Sequence, residues 1–303
     1  MPASKRPELV IETHALSKKY RDTFAVRDLD LAVPEGSISA FLGPNGSGKT
    51  TTIRMLLGLA YPTAGSGCVL GQAISDEAAC AKIRQRIGYV SEDKRLYGYM
   101  TVKQVLDFVR PLYPNWNRDR ERALQERFDL PPGQKCKKLS KGMRTKLALV
   151  LALARGADLL IFDEPGEGLD PAAAEQLLEA IVEAASDGAT VFFSTHQIAE
   201  VERIADHVFI MNNGQLVFQN AIEEMRKNYR RIHFSFMGRP PANQMNMDGV
   251  ESLKVEAHVL SLVANGNLER IAQRGRALGA ISIDVQAIGL REVFLEAVNE
   301  ERS

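Results

Sequence analysis

Apolar residues fall along the first part of this chain in short runs separated by longer helical patterns. Residues 37–42 (SISAFL), 158–163 (DLLIFD) and 190–195 (TVFFST) are nearly unbroken apolar or β-branched runs, as strands buried on both faces require. The first run leads through a glycine-rich turn into a helical pattern over about 49–59, and the third follows another over 172–185. Runs at 208–211 and 215–218 flank Asn212-Asn213-Gly214, residues that tolerate positive φ, and so predict a hairpin. Alternation of strand and helix patterns predicts an α/β unit around a buried sheet.

Between about residues 94 and 139 the texture changes. Tyr, Pro, Arg and Asn replace the strand runs, and helical patterns occupy 101–113 and 118–128. This predicts a helical subdomain, about 94–155, set inside an α/β unit spanning residues 1–220. Beyond Asn220 the composition shifts again. Arg239-Pro240-Pro241 and 243–248 are loop-like, strand candidates lie at 231–236, 253–257, 260–264 and 281–285, and helical patterns at 268–278 and 290–298. Residues 221–303 are therefore expected to form a small α+β unit. No fixed-period repeat is visible.

Composition adds exclusions more than direction. The 303 residues are 45% hydrophobic and 25% charged, an ordinary globular profile rather than a disordered one. With 38 basic and 38 acidic residues the net charge is zero, so no nucleic-acid partner is expected from whole-chain electrostatics. Cys68, Cys80 and Cys136 are too scattered for a disulfide framework or a metal spacing. The basic N-terminal stretch has no apolar segment of the secretory kind, and the longest apolar run, 147–154, is far shorter than the roughly 20 residues of a membrane span.

Chemistry enters at Gly43-Pro44-Asn45-Gly46-Ser47-Gly48-Lys49-Thr50, with Thr51 next. It fits G-x-x-x-x-G-K-[ST] after a strand and before a helix, where glycines let backbone N–H groups wrap a phosphate at a helix N-terminus. Lys49 is expected to reach the β- and γ-phosphates, and Thr50 to offer its hydroxyl to Mg²⁺. The run 159–163 ends in Asp163, followed at once by Glu164. Acids at such a strand end point into the crevice where α/β sheets bind ligands. Asp163 is expected to hold Mg²⁺ through its water shell, and Glu164 to polarise or hold the attacking water as general base. Two acids at a strand end are often just a solvated turn; the phosphate loop upstream is what gives this pair its meaning.

In this setting the sequence resembles the ATPase subunits of ATP-binding-cassette (ABC) transporters. Leu139-Ser140-Lys141-Gly142-Met143 stands where that family has its signature motif, usually LSGGQ. Gly168-Leu169-Asp170-Pro171 is similar to its D-loop, His196 after Ser194-Thr195 to its switch histidine, and Tyr20 sits where the family stacks an aromatic ring on adenine. The resemblance covers about residues 10–218. It implies a P-loop NTPase (RecA-like) ABC cassette with a helical subdomain, followed by the α+β unit, using ATP and Mg²⁺. It also implies two subunits, identical or paralogous, paired head to tail around two ATP molecules. Ser140 and Gly142 would meet the γ-phosphate held by the other subunit, Asp170 would bridge the halves, and His196 would contact the γ-phosphate.

The resemblance further implies an energy-coupling subunit that works with a separate membrane-spanning subunit, peripheral to the cytoplasmic face of the plasma membrane. Residues 290–296 (LREVFLE) resemble the C-terminal extension of the type-2 exporter branch, which points to export. The alternative is a soluble ABC ATPase that remodels a macromolecule without transport. Relatives of that kind usually carry two cassettes or long inserted coiled coils, and this sequence shows neither.

Two departures stand out. Lys141 and Met143 replace the usual Gly and Gln of the signature, and Glu92, in Ile87-Gly88-Tyr89-Val90-Ser91-Glu92, replaces the usual Gln of the Q-loop. A carboxylate can still ligate Mg²⁺, which favours oxygen donors, while adding negative charge near the γ-phosphate. Glu92→Gln is therefore expected to preserve ATP binding but to alter Mg²⁺ dependence, turnover or pH response. ATPase assays across Mg²⁺ concentration and pH check this, and three unchanged profiles would refute it.

Overall fold

The computed structural model describes residues 8–299; residues 1–7, where the basic N-terminal stretch begins, lie outside it, as do residues 300–303. The chain divides into two compact units, Met1–Gln219 and Asn220–Ser303. Each is built on its own terms.

The first unit has a six-stranded sheet in the order Gln215–Ala221, His207–Asn212, Ile38–Leu42, Thr190–Thr195, Leu159–Asp163, Ile87–Val90. From His207–Asn212 to Ile87–Val90 the neighbours run parallel. Ile38–Leu42, Leu159–Asp163 and Thr190–Thr195 are buried at every position, which accounts for their unbroken apolar runs. Their carboxyl ends share one edge of the sheet, where Leu42 aligns with Thr195 and Asp163 with Ser194. The strands His207–Asn212 and Gln215–Ala221 are joined through Asn213 and Gly214, both at positive φ, the turn a right-twisted hairpin needs.

A second, antiparallel sheet has the order Thr23–Leu29, Leu9–Tyr20, Ala64–Val69, Gln72–Ala73, with Ala32–Pro34 also paired to Leu9–Tyr20. The pattern analysis does not identify these strands. Leu9–Tyr20 carries register shifts against all three partners, and Ala15 and Asp28 adopt left-handed φ, so the period-two alternation is broken. Between the sheets lies the helix Lys49–Leu56. Its Ile53, Met55 and Leu56 join a core that includes Ile11, Leu16 and Val26 from one sheet and Phe41, Phe192 and Phe209 from the other. Phe192 meets Phe41 in a tilted ring contact and Phe209 edge-on, at centroid separations of 5.3 and 6.4 Å.

That helix ends earlier than the 49–59 pattern predicts. Gly58 takes φ +64°, its N–H donates to Met55 O, and the Leu59 N–H reaches back to Arg54 O, a Schellman closure. The helical subdomain comprises Val102–Val109 with the 3₁₀ turn Arg110–Leu112, then Arg118–Arg127, then Lys141–Leu153. Thr101 and Gln104 form a capping box at its entry. Buried Glu121 accepts from Arg110 at 2.8 and 2.9 Å and from the Trp116 indole N–H at 2.6 Å. Arg110 and the indole hold the Glu121 carboxyl below its ordinary range despite burial, which opposes them. Two ion pairs, Arg127–Glu183 at 2.7 Å and Arg120–Asp187 at 3.0 Å, fasten the subdomain to the helix Pro171–Ser186 and the residue just after it.

The second unit is a four-stranded antiparallel sheet, Val250–Glu256, Val259–Asn265, Tyr229–Ser235, Ser282–Ala287 in spatial order. Alternation along Tyr229–Ser235 sends Ile232 and Phe234 to a core shared with Ile271 of the helix Leu268–Ala277. Arg231, on the opposite face, meets Glu296 of the helix Leu290–Asn299 at 3.0 Å, and Lys254 meets the same carboxylate at 2.6 Å. Met245 is fully buried in this unit while Met237 is exposed, consistent with loop and core roles for methionines here.

Gly275 marks the closest helix–sheet approach, since a Cβ there would collide with the Phe234 ring. Alanine would gain about 1 kcal/mol of helix propensity, but overpacking a fully buried ring costs roughly 1–3 kcal/mol. Gly275→Ala is thus expected to lower the denaturant midpoint of the C-terminal unit, followed by hydrogen exchange of its sheet in the full chain. An unchanged or raised midpoint would mean that the ring yields.

Candidate functional site: a phosphate loop facing two strand-end carboxylates

The parallel sheet delivers the phosphate loop and the acid pair to one edge. Gly48 caps the helix Lys49–Leu56 at φ +110°, and any Cβ there would strike the Ala25 carbonyl oxygen, so only glycine lets the loop close over that helix. Below it a cavity of about 320 Å³ is lined by Ala25, Asn45, Gly46, Gly48, Lys49, Thr50, Thr51, Glu92 and Glu164. Of the predicted loop residues, Gly43 and Pro44 lie behind this lining, where both carbonyls accept from Lys49 Nζ, at 2.8 and 3.2 Å. Ser47 is buried with its Oγ unpartnered.

Glu164 is the most constrained residue of the site. Its φ is +48°, a left-handed conformation for a side chain that does not favour it. Its N–H donates to Ser194 Oγ at 3.0 Å, and its main-chain carbonyl accepts from Lys94 Nζ at 3.1 Å. One carboxylate oxygen, Oε2, lies 2.9 Å from His196 Nδ1; the other, Oε1, is buried without a hydrogen bond, 3.3 Å from Lys49 Nζ. Ser194 in turn donates to Asp163 Oδ1 at 2.6 Å. One hydroxyl therefore orients both acids. His196 is held on a turn fixed by buried Glu200, which accepts from Thr195 Oγ1 at 2.7 Å, while Thr195 Oγ1 accepts from the Gln197 N–H at 3.0 Å. Burial pushes the Glu200 carboxyl up, the Thr195 hydrogen bond opposes that, and the nearby Glu164 charge adds to it.

The donors suit Mg²⁺. Asp163 is fully buried, yet its Oδ2 makes no hydrogen bond, and the Thr50 hydroxyl is close enough to help lower the same carboxyl. A bare carboxylate oxygen beside a hydroxyl at the end of a phosphate loop is the hard-oxygen environment that a hydrated Mg²⁺ with phosphate ligands prefers. Glu92 also lines the cavity. Among the described residues no cluster of three or more His, Cys, Asp or Glu forms a self-sufficient metal cage, so the phosphates and water would complete the shell.

Ser140, Gly142 and Asp170 form a second group outside that cavity lining. Ser140 caps the helix Lys141–Leu153, accepting from the Met143 N–H at 3.1 Å. The helix begins at Lys141, six residues before the apolar run at 147–154, because this cap and not hydrophobicity starts it. A Cβ on Gly142 would lie 3.6 Å from Gly168 O, so the signature residues adjoin the turn leading to Asp170. Asp170 caps Pro171–Ser186 by accepting from the Ala173 N–H at 2.9 Å. Lys141, the unusual signature residue, pairs with Glu167 at 2.7 Å within the same chain. That hydrogen bond holds the Glu167 carboxyl below its ordinary range. Tyr20 is about half exposed at the tip of its hairpin with the Lys18 ammonium 5.1 Å from its ring centre. It is not part of the cavity lining, although the following strand brings Ala25 there.

Sequence reasoning missed Lys94 and Glu200, and it used Ser194 only as a place-marker before His196. Each lies outside a recognisable phosphate-site pattern. Burial is what distinguishes Lys94 and Glu200, and a single sequence does not display it.

Fold and site together define a nucleotide triphosphatase of the P-loop class. Comparison with known proteins narrows this further. The family model described as "ABC transporter" matches residues 26–167, and an overlapping model described as "AAA domain, putative AbiEii toxin, Type IV TA system" matches 133–202. The uncharacterized ABC transporter ATP-binding protein YhaQ of Bacillus subtilis (strain 168) is 34% identical over 292 residues, 93% of this chain and 96% of that protein. The daunorubicin/doxorubicin resistance ATP-binding protein DrrA of Streptomyces peucetius is 34% identical, over 74% of this chain and 68% of its own. A solved structure described as the ATP binding subunit of an ABC transporter superposes with a TM-score of 0.66 at 31% identity, covering 72% of this chain and 92% of that one. The chain belongs to the ATP-binding proteins of ABC transporters, and is an ABC-type ATPase.

Asp163 supplies a stability test that does not depend on turnover. Burial raises its pKa above the ordinary carboxyl value, and the Ser194 and Thr50 hydroxyls only partly offset this. Since the native pKa lies above the unfolded one, ionised Asp163 weakens the fold. That weakening is absent below the unfolded carboxyl range and grows as pH rises through it toward the native value. Asp163→Asn is therefore expected to raise the thermal midpoint of the nucleotide-free protein at about pH 7, with the gap narrowing toward about pH 4. A lower midpoint for the variant at neutral pH would contradict this.

Proposed function

We propose that this chain is the ATP-hydrolysing, energy-coupling subunit of an ABC exporter, acting as a head-to-tail dimer beneath a separate membrane-spanning subunit. The observation that carries the catalytic part is the placing of Glu164. Its Oε1 is buried and bare beside Lys49, while its other polar atoms are tied down. A carboxylate so held can accept a proton from a water attacking the γ-phosphate, or hold that water in line.

In this reading Gly43 to Thr51 cradle the triphosphate through backbone N–H groups, and Lys49 shifts from its loop carbonyls to the β- and γ-phosphate oxygens. His196, hydrogen-bonded to Glu164, senses the γ-phosphate, and Tyr20 stacks on adenine. Thr50, Asp163 through water, and Glu92 would hold Mg²⁺, which when bound would supply positive charge to the phosphates. Products are ADP and phosphate.

The dimer is supported by a division within the chain. Ser140, Gly142 and Asp170 do not line the cavity that contains Lys49 and Glu164. Ser140 sits at a helix N-terminus, where free N–H groups attract a phosphate, and Asp170, whose carboxylate caps the helix Pro171–Ser186, would bridge the two halves. A second copy, or a paralogue, would bring that surface to the γ-phosphate. ATP then acts as the adhesive and hydrolysis as the release, a ligand-driven shift of population.

The membrane partner is supported by the family and by the absence, among the described residues, of any helix long and apolar enough to cross a membrane. Export is supported by the Nod factor export ATP-binding protein I of Cupriavidus pinatubonensis, 36% identical over 69% of this chain, and the drug-resistance role in DrrA's name is compatible with it. Peripheral placement at the cytoplasmic face of the membrane follows from the same partner.

Glu164→Gln is expected to bind ATP, turn over slowly, and accumulate as an ATP-held dimer. Tagged, expressed in the native cell and solubilised with ATP and Mg²⁺, it is expected to bring down a multi-span membrane protein in stoichiometric amount. Recovery of a soluble complex, or of the chain alone in the cytosol, would instead support the macromolecule-remodelling reading.

A further inference from the structure

Lys94 is 5% exposed, a burial that a lysine ammonium tolerates only with partners. Its Nζ donates to two main-chain oxygens, Glu164 O at 3.1 Å and Glu92 O at 3.3 Å. Both belong to residues whose side chains line the nucleotide cavity, while Lys94 itself is absent from that lining. Lys94 also has φ +44°, and Glu164 has φ +48°. Two left-handed, non-glycine residues, 70 positions apart in sequence, are thus joined through one ammonium. Such conformations persist only where surrounding contacts over-determine them, and they concentrate where geometry is being held for a purpose.

We propose that Lys94 is a positioning residue for hydrolysis: its buried ammonium clamps the Glu164 peptide from behind and ties it to the segment carrying Glu92. The geometry is complete on the Glu164 side. Ser194 holds the N–H, Lys94 the carbonyl and His196 one carboxylate oxygen. Of these anchors only Lys94 comes from the segment that follows the strand Ile87–Val90. Movement of Glu92 on Mg²⁺-nucleotide would therefore be felt at the Glu164 peptide through a rigid two-ended contact, without Lys94 touching nucleotide.

A positioning role separates from a packing role in kinetics. Lys94→Met keeps the length of the side chain and removes its donors. In the full chain it is expected to lower kcat by on the order of tenfold or more while leaving KM and the affinity for a fluorescent ATP analogue within about threefold of the parent. Lys94→Arg, which keeps charge and donors, is expected to recover most of that loss. In a Glu164→Gln background, Lys94→Met is expected to have no further effect on single-turnover hydrolysis, because the group it positions is gone.

Parent-like kcat in Lys94→Met, loss of nucleotide affinity in step with kcat, or a full second loss in the Glu164→Gln background would each overturn the proposal. If Lys94→Met does not fold, Lys94→Gln is judged by the same criteria, with an intermediate kcat expected. The inference rests on Glu164 as the base. Parent-like turnover in Glu164→Gln would sink that reading, whereas an inactive Glu164→Gln with a fully active Lys94→Met would sink the role of the lysine alone.

Discussion

Two adjacent carboxylates at the end of a fully buried strand form the constraint around which this ATPase is arranged. Asp163 and Glu164 follow four buried apolar residues, so their charge must be balanced locally. Lys49 approaches from the phosphate loop, His196 from the neighbouring strand end, and Lys94 from the segment beyond Ile87–Val90. The balance is deliberately incomplete: Asp163 Oδ2 and Glu164 Oε1 keep buried lone pairs without hydrogen bonds. An incompletely satisfied acid is costly to the fold and useful to the chemistry, since Mg²⁺ and a water are what those atoms can take up.

Sheet topology makes the arrangement possible. Parallel strands place their carboxyl ends along a single edge, so residues far apart in sequence meet there without any long loop. The neighbouring register of Leu42 with Thr195 and Asp163 with Ser194 brings the phosphate-loop strand, the strand leading to His196 and the acid strand into adjacent positions. The helix after the phosphate loop is clamped between two sheets by Ile53, Met55 and Leu56. That packing keeps its N-terminus aimed at the cavity. The antiparallel sheet, although it supplies only Ala25 to the lining, completes the clamp.

Much of this was legible in the sequence because one cause governed each pattern. Strands buried on both faces have to be continuously apolar, and residues 38–42, 159–163 and 190–195 were identified almost to the residue. A phosphate loop needs glycine at fixed offsets, so it too was plain. The bulged strand Leu9–Tyr20 was not, since its alternation is interrupted where Ala15 turns left-handed. The start of the helix Lys141–Leu153 was also obscured, because a Ser140 hydroxyl sets it and polar residues fill its first turn. Lys94 was invisible for a deeper reason. Lysine is exposed in most contexts, and only the three-dimensional meeting of residues 92, 94 and 164 reveals its burial.

The departures from the usual motifs are best understood together. Lys141, in the signature, spends its charge on Glu167 three residues after the candidate base. Lys94, after the Q-loop position, donates to the main chain of that base and of Glu92. Glu92 brings an additional negative charge to the cavity where the family usually has a neutral side chain. Each lysine therefore lies at a place where the loop from Glu164 to Glu167 meets another element. The Glu167 charge raises, and that of Lys141 lowers, the Lys94 pKa, with burial the largest effect and acting downward. Charge has been added in both signs around one short loop, so a substitution at any one member changes the field at the others. Such coupling makes single-residue effects at this site non-additive, so Glu92, Lys94, Lys141 and Glu167 are best substituted in pairs as well as singly.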